Sequence, residues 1–199
     1  GPVIINLMSG LGETIMLATT LQPFWMGIII SVIVGIVLTL PISSAALCMM
    51  LSLAGLAGGA ATAGCSAQMI GFAVISFKEN GWSGLLAQGL GTSMLQIPNI
   101  LKNWKIWIPP TLASVITGPI ATTVFKLENI PLGSGMGTSG LVGQIGTLTA
   151  MEQAGAETFM TYLGIAVVHF VLPAALSLIF YKILKKIDWI KDGDLKLNL

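Results

Sequence analysis

Eight side chains in this sequence combine the chemistry of hydroxyl recognition with surroundings that should keep bulk water away: Gln68, Gln88, Gln96, Asn99, Thr138, Ser139, Gln144 and His169. Carboxamides and hydroxyls donate and accept hydrogen bonds without carrying charge, so they suit a neutral, hydroxyl-rich solute better than an ion. A cation pathway would call for rings of carboxylates, whereas Glu13, Glu79, Glu128, Glu152 and Glu157 fall mainly near the ends of apolar runs. His169 is the only histidine. Pro173 follows it at helical spacing and removes the hydrogen bond that the His169 carbonyl would otherwise accept. A free carbonyl and an imidazole at one depth can bind a ligand together; an interhelical hydrogen bond is the plainer role, and both stay open. Gln68 has the same two readings, as packing glue between helices or as a pore-lining amide.

No Ser/His/Asp set and no cluster with metal-ligand spacing accompanies these residues, so no catalytic residue, metal or cofactor is expected of the chain alone. Cys48 and Cys65 stand apart in small, apolar surroundings and read as buried free thiols. All nine basic residues are Lys, with no Arg to fork onto phosphate, so no nucleic-acid surface is expected.

The densest glycine segment runs from Gly133 to Gly146. Within it Gly135 to Gly140 matches GxGxxG, but no strand precedes it and no Lys-Ser/Thr follows, so neither a dinucleotide fingerprint nor a phosphate loop is supported. The glycines permit a sharp re-entry and then a half helix starting near Thr138 and Ser139, its first amides free to donate; a close-packed loop crossing between helices is the alternative. Irregular polar backbone at membrane depth survives only inside protein or around a water-filled cavity.

The elements that must position these groups follow from composition. Hydrophobic residues make up 54% and charged ones 9%, against about 25% charged in soluble domains, and mean hydropathy is +0.89. The fold class is therefore all-α, a polytopic integral membrane protein with discontinuous or re-entrant helices. Residues 1–199 read as a single membrane domain. With no initiator Met, the chain is expected to be the C-terminal part of a longer membrane protein.

Residues 3 to 19 suit a helix that crosses obliquely or lies at the interface, and Phe24 to Leu40 is a clean span between Pro23 and Pro41. Ser43 to Phe77 is too long for one straight crossing and is expected to break at Gly58-Gly59. Gly55, Gly59, Ala63, Ala67 and Gly71 form a small-xxx-small row for close helix approach. Lys78 to Gly81 reads as a polar turn. After it a short half helix from Trp82 to Ile97 would put Gly84, Gln88, Thr92 and Gln96 on one cavity-lining face, ending around Pro98. Lys102 to Trp107 is an interfacial belt, Ile108 to Phe125 a span kinked at Pro119, and Phe159 to Lys182 the last span. The Lys-rich tail places the C-terminus in the cytoplasm by the positive-inside bias.

Four phrases, LPISSAA from Leu40, GLGTSMLQIPNI from Gly89, IWIPPTLAS from Ile106 and GMGTSGLVGQIGTLTAM from Gly135, closely resemble a bacterial family of phosphotransferase-system (PTS) EIIC-like membrane proteins. That family includes regulators of perfringolysin expression. The resemblance spans nearly the whole chain. It implies a bacterial inner-membrane sugar permease that binds a carbohydrate between helices, with the phosphoryl group supplied from a Cys or His of a separate EIIB unit. It also implies a membrane-domain His or Glu beside the sugar hydroxyl; His169 corresponds by chemistry rather than by motif, and the glucose-type Gly-Ile-Thr-Glu signature does not occur. The expected function is a carbohydrate permease with a mid-membrane site, the alternative a membrane-bound sensor or regulator that keeps the permease fold and signals through its tail. As an enzyme the chain would be at most a sugar phosphotransferase acting with EIIA and EIIB partners. A homodimer in membrane lipid is expected, since few crossings close a pathway poorly alone.

Overall fold

Proline and glycine punctuate this apolar sequence, and they set where its helices start and turn. In the computed structural model, which describes residues 1–199, α1 (Pro2–Leu21) and α2 (Pro23–Thr39) each begin at a proline, whose missing N–H costs nothing in a first helical turn. α3 (Ser44–Met50) is capped by Ser43, whose hydroxyl accepts from the Ala46 amide at 3.2 Å. The chain then breaks over residues 51–54, with Ser52 at φ 51° and Gly55 at φ 61°. α4 (Gly55–Ile75) follows. The break expected at Gly58-Gly59 is thus corrected to a point just before α4. Both glycines lie inside that helix and are small because other backbone comes close: a Cβ on Gly59 would sit 1.8 Å from the Leu127 carbonyl oxygen.

The long run ends at Ile75, and in the short α5 (Phe77–Leu86) that follows the chain turns at Gly81, φ 61° and ψ −154°, which parts the segment into two helical pieces where the polar turn was expected. A π-helical turn, Ala87–Gly91, leads to an extended Thr92, a 3-10 turn, Ser93–Gln96, and α6 (Ile97–Lys102). Pro98 therefore opens a helix rather than ending one. The extended Thr92 breaks the expected row of Gly84, Gln88, Thr92 and Gln96, so these four do not share one helix face. The Trp-Lys belt is a 3-10 turn, Trp104–Trp107, ahead of α7 (Ile108–Pro119). Pro119 withholds an amide, and the chain passes into a second π turn, Ile120–Val124.

α8 (Pro131–Ser134), a glycine-rich turn and α9 (Val142–Gln153) make the second irregular hairpin. α10 (Thr158–Gly164), a π turn, Ile165–Val171, and α11 (Leu172–Lys186) form one apolar rod of 29 residues. There is no strand, only an isolated backbone bridge between Gly55 and Asn129. Three helical segments, Pro2–Leu21, Gly55–Ile75 and Thr158–Lys186, are long and apolar enough to cross a membrane, and α2 is a shorter apolar helix. The chain is an all-α, multi-pass integral membrane protein.

α4 is the axis, packed against α2, α7 and α11. The apolar stretch of α4 is 89% buried, against 11% for that of α1. Small residues allow this: a Cβ on Gly64 would lie 1.8 Å from the Ser31 carbonyl oxygen, and one on Gly71 would lie 2.6 Å from Ser177 Oγ. The exposed apolar surface carries Ile29 and Ile33 of α2, Ile179 and Ile183 of α11, and much of α1.

Gly64→Ala should therefore separate α4 from α2 at a cost of about 1–3 kcal/mol, as overpacking generally does. Gly10→Ala, at a position with nothing within 4 Å, should leave stability unchanged or slightly raised. Thermal unfolding of the detergent-solubilised variants checks the contrast; equal midpoints for the two would contradict the close approach.

Candidate functional site

Polar side chains concentrate around α4 and fall into four groups. In the first, Gln68 is completely buried and bridges three helices. Its Oε1 accepts from Trp107 Nε1 at 2.9 Å and from Thr39 Oγ1 at 3.2 Å, and its Nε2 donates to Thr111 Oγ1 at 3.1 Å. Thr39 in turn shares a 2.8 Å hydrogen bond with Ser93. This arrangement ties α2, α4 and α7 together at one level, the interhelical role that the sequence left open for Gln68.

The second group is a relay of amides. Gln88 Nε2 donates to Ser76 Oγ at 2.8 Å and to the Gly84 carbonyl at 3.0 Å, while its Oε1 accepts from Gln96 Nε2 at 2.8 Å. Gln96 also donates to the Leu195 carbonyl at 3.1 Å and accepts from Asn99 Nδ2 at 2.9 Å; Asn99 donates to the Lys196 carbonyl at 2.9 Å. Asn80 donates to the Leu195 carbonyl and accepts from the Leu197 amide, both at 2.8 Å. Glu79 takes the amides of Gly193 and Leu195 at 2.9 and 3.0 Å. The backbone of the C-terminal tail is thus held through a turn at residues 192–195, with Leu195 completely buried. At its exposed end Lys185 pairs with Asp192 at 2.5 Å and holds that carboxyl below its ordinary range, a contact that solvent makes weak.

The third group surrounds Asn129, which lies just beyond the span expected to end at Phe125. It is buried, and the two N–H groups of its Nδ2 are shared among Thr62 Oγ1 at 2.6 Å, the Gly143 carbonyl at 3.0 Å and Thr147 Oγ1 at 3.2 Å. Its backbone pairs with that of Gly55. The signal that could have revealed it lies in two flanking glycines: a Cβ on Gly133 or Gly146 would come within 2.4 or 2.3 Å of Asn129 Oδ1. Asn129 therefore staples the glycine hairpin onto α4.

The fourth group is the tip of that hairpin and the helix beside it. Gly137 at φ 54° backs onto Cys65 and Ser66 of α4, where a Cβ would meet atoms at 2.7–3.0 Å. Gly140 at φ 54° and Leu141 at φ 58° follow. A left-handed leucine is costly backbone, held by its surroundings. Thr138 Oγ1 reaches across to the Gly89 carbonyl at 2.5 Å and lies 3.6 Å from Met69 Sδ. Ser139 lines a cavity of about 150 Å³ together with Ser44 and Thr92. In α9, Gln144 Nε2 stands 3.1 Å from His169 Nδ1, which the π turn before Pro173 presents.

Gln144 Oε1 and His169 Nε2 are buried and have no partner. With Gln144 as assigned, Nδ1 accepts, so Nε2 carries the ring proton; the pair then leaves one acceptor and one donor unmet. Reversing the amide and the tautomer exchanges the two roles and leaves the same count. Three hydroxyls, Ser66, Thr117 and Ser177, are also buried without partners, and no motif pointed to them. Of the eight side chains singled out from sequence, the structure joins Gln88, Gln96 and Asn99 in one relay and Gln144 with His169 in one pair. Thr138 and Ser139 lie on the hairpin tip, and Gln68 stands apart from all three sets.

No curated protein and no solved structure matches the chain. The family model described as phosphotransferase system, EIIC, matches residues 1–197. A buried, uncharged polar centre built from broken helices in a multi-pass membrane fold is in keeping with that match, and the chain belongs to the phosphotransferase-system EIIC family.

Proposed function

We propose that the protein is a sugar permease of the EIIC type whose neutral carbohydrate contacts Gln144 and His169 near the middle of the membrane. The observation that carries this reading is the buried pair with one unmet donor and one unmet acceptor. Leaving such groups unpaired in a low-dielectric interior costs about 1–3 kcal/mol each, and a sugar hydroxyl, which both donates and accepts, would satisfy the two at once. Thr138 and Ser139 on the neighbouring tip extend the polar surface. In this reading Gln68, Gln88, Gln96 and Asn99, whose amides are engaged by protein groups, hold the frame around the solute. An EIIB-type partner would donate the phosphoryl group, the tail would face the cytoplasm, and a homodimer would complete the pathway in the bacterial inner membrane.

A second reading, a membrane-bound regulator that keeps the permease fold, is favoured by one observation: Glu79, Asn80, Gln96 and Asn99 grip the tail backbone much as a receptor grips a peptide. A partner that draws the tail away would change the occupancy of those side chains.

Two measurements test these readings. A sugar at about a hundred times its Kd should stabilise the solubilised protein by about 2.7 kcal/mol, read as a raised unfolding midpoint. Gln144→Met/His169→Phe, which removes both polar partners, should keep apo stability near the wild-type value and lose the sugar-dependent rise. A rise that persists in the double variant would move the carbohydrate elsewhere. For the tail, Glu79→Gln/Asn80→Leu should speed amide hydrogen exchange over 190–197 while sugar stabilisation survives; exchange unchanged from wild type would remove the grip on which the regulatory reading depends.

A further inference from the structure

Charge is unevenly spread over this bundle. Every lysine except Lys126 lies on α5, at the end of α6, in the Trp104–Trp107 turn, near the end of α11 or in the tail. Contacts gather these elements at one end: Glu79 takes the Gly193 and Leu195 amides, Asn103 Nδ2 donates to Asp194 Oδ2 at 2.8 Å, and Lys105 Nζ stands 5.0 Å from the centre of the Trp189 ring. Eight lysines there meet only four acids, Glu79, Asp188, Asp192 and Asp194. Elsewhere Lys126 is outnumbered by Glu13, Glu128, Glu152 and Glu157. Lys185 with Asp192 is the only ion pair formed, so most of the excess is uncompensated.

Part of this excess lines a recess of about 410 Å³ between α6 and the tail. One wall is a single helical face, Leu95, Pro98, Asn99 and Lys102, and Lys196, Leu197 and Asn198 stand on the other. Lys102 and Lys196 thus reach one space from two different elements, and neither has a carboxylate partner. Asp194 is the only acid on the wall, and its Oδ2 already accepts from Asn103 Nδ2 and from the Lys191 amide, both at 2.8 Å. The backbone amide of Asn198 donates to no protein group. Next to Lys102 in the chain, Leu101 is 83% exposed and Trp104 62%. Bare leucine and tryptophan interleaved with lysine are the pattern of a membrane–water boundary, where the ring and the stem lie in apolar surroundings and the amine reaches water.

We propose that this recess seats the phosphate of an anionic phospholipid, held between Lys102 and Lys196. Two ammonium groups that share one cavity repel each other. An anion placed between them removes that repulsion and accepts charge-assisted hydrogen bonds from both. Lysine serves phosphate as a point charge, so the fork of an arginine is not required. A soluble phosphate ester has the same chemistry; the lipid is favoured because Leu101 and Trp104 leave apolar surface bare beside Lys102, which suits acyl chains and not a dissolved ligand. Basic pockets at the ends of membrane helices are general binding places for acidic headgroups. One lysine belongs to α6 and the other to the tail, so a bound headgroup would fasten the tail where Gln96 and Asn99 already hold its backbone. In a membrane of neutral lipid the tail would be held by those neutral hydrogen bonds and by Glu79 alone, against the repulsion of the two amines.

Amide hydrogen exchange over residues 190–197 tests the site, with the protein in nanodiscs of phosphatidylcholine and in nanodiscs that also contain phosphatidylglycerol. Phosphatidylglycerol should slow exchange about tenfold, the order expected of two lysines meeting an anionic headgroup. Lys102→Gln/Lys196→Gln should lose this slowing. Lys182→Gln/Lys186→Gln, which removes the same charge from the same end but outside the recess, should keep it. Equal loss in the two double variants would reduce the effect to the general attraction of a basic surface and overturn the site, as would exchange that is the same in both lipids. In phosphatidylcholine alone, Lys102→Gln/Lys196→Gln should protect the tail at least as well as the wild type, because the repulsion is gone; faster exchange there contradicts the unpaired arrangement on which the site depends. Glycerol 3-phosphate added to the phosphatidylcholine nanodiscs should leave exchange unchanged. Protection equal to that by phosphatidylglycerol would make the ligand a soluble phosphate ester and overturn the assignment to lipid.

Discussion

A helix made of small residues and surrounded on every side sets the spacing of everything else in this protein. α4 presents glycine or alanine wherever another backbone must pass, and the carbonyls of Ser31 and Leu127 lie where a Cβ on Gly64 or Gly59 would be. Inside a bilayer, apolar side chains gain nothing by leaving lipid for protein, so helix association depends on close van der Waals contact and on interhelical hydrogen bonds. Both occur on α4: α2, α7 and α11 come close because its side chains are small, and Gln68 then bonds to α2, α7 and the Trp104–Trp107 turn at once. The same closeness lets a threonine on one broken hairpin reach a carbonyl on the other.

The buried polar groups divide by whether protein satisfies them. Gln68, Gln88, Gln96 and Asn129 each make several hydrogen bonds to protein, and groups so satisfied in a low dielectric rigidify a structure. Gln144 and His169 satisfy each other only by half. This contrast within one interior separates framework from candidate binding surface more sharply than residue type does, since glutamines occur on both sides of the division.

Much of the architecture was legible in the residues. Pro23 and Pro41 bracketed α2, Pro119 and Pro173 marked helical irregularities that appear as π turns on either side, and the glycines from Gly133 announced a sharp turn near Thr138. The misreadings have separate causes, the first being that a glycine has two uses. Gly58-Gly59 looked like a hinge and serves as a contact surface, because a sequence does not reveal that Leu127 and Asn129 will come to lie beside it. The row through Gln88, Thr92 and Gln96 assumed an unbroken helix, whereas Thr92 turns extended; Gln88 and Gln96 still meet, but across a break. The tail reads as a solvated Lys-rich end because its composition is polar. Its burial comes from backbone hydrogen bonds to side chains far away in sequence, which composition does not record.

The amide relay gives that tail a place in the mechanics of the tip. Leu195 is bonded to Gln96, Gln96 to Gln88, and Gln88 directly precedes Gly89, whose carbonyl receives Thr138. Each bond in this sequence is buried, where an unmet donor or acceptor is costly, so the Gln88 side chain has few conformations open to it while the tail is seated. Releasing the tail would leave Gln96 with an unmet N–H and the Gln88–Gln96 bond free to rearrange, directly beside the Gly89 carbonyl that receives Thr138 of the glycine-rich hairpin. Tail and tip thus contact one small element from opposite ends, the kind of contiguous contact through which separate sites can be coupled. In a permease this arrangement would make tail seating depend on whether Thr138 meets Gly89; in a regulator it would let occupancy beside that contact determine whether the tail is free.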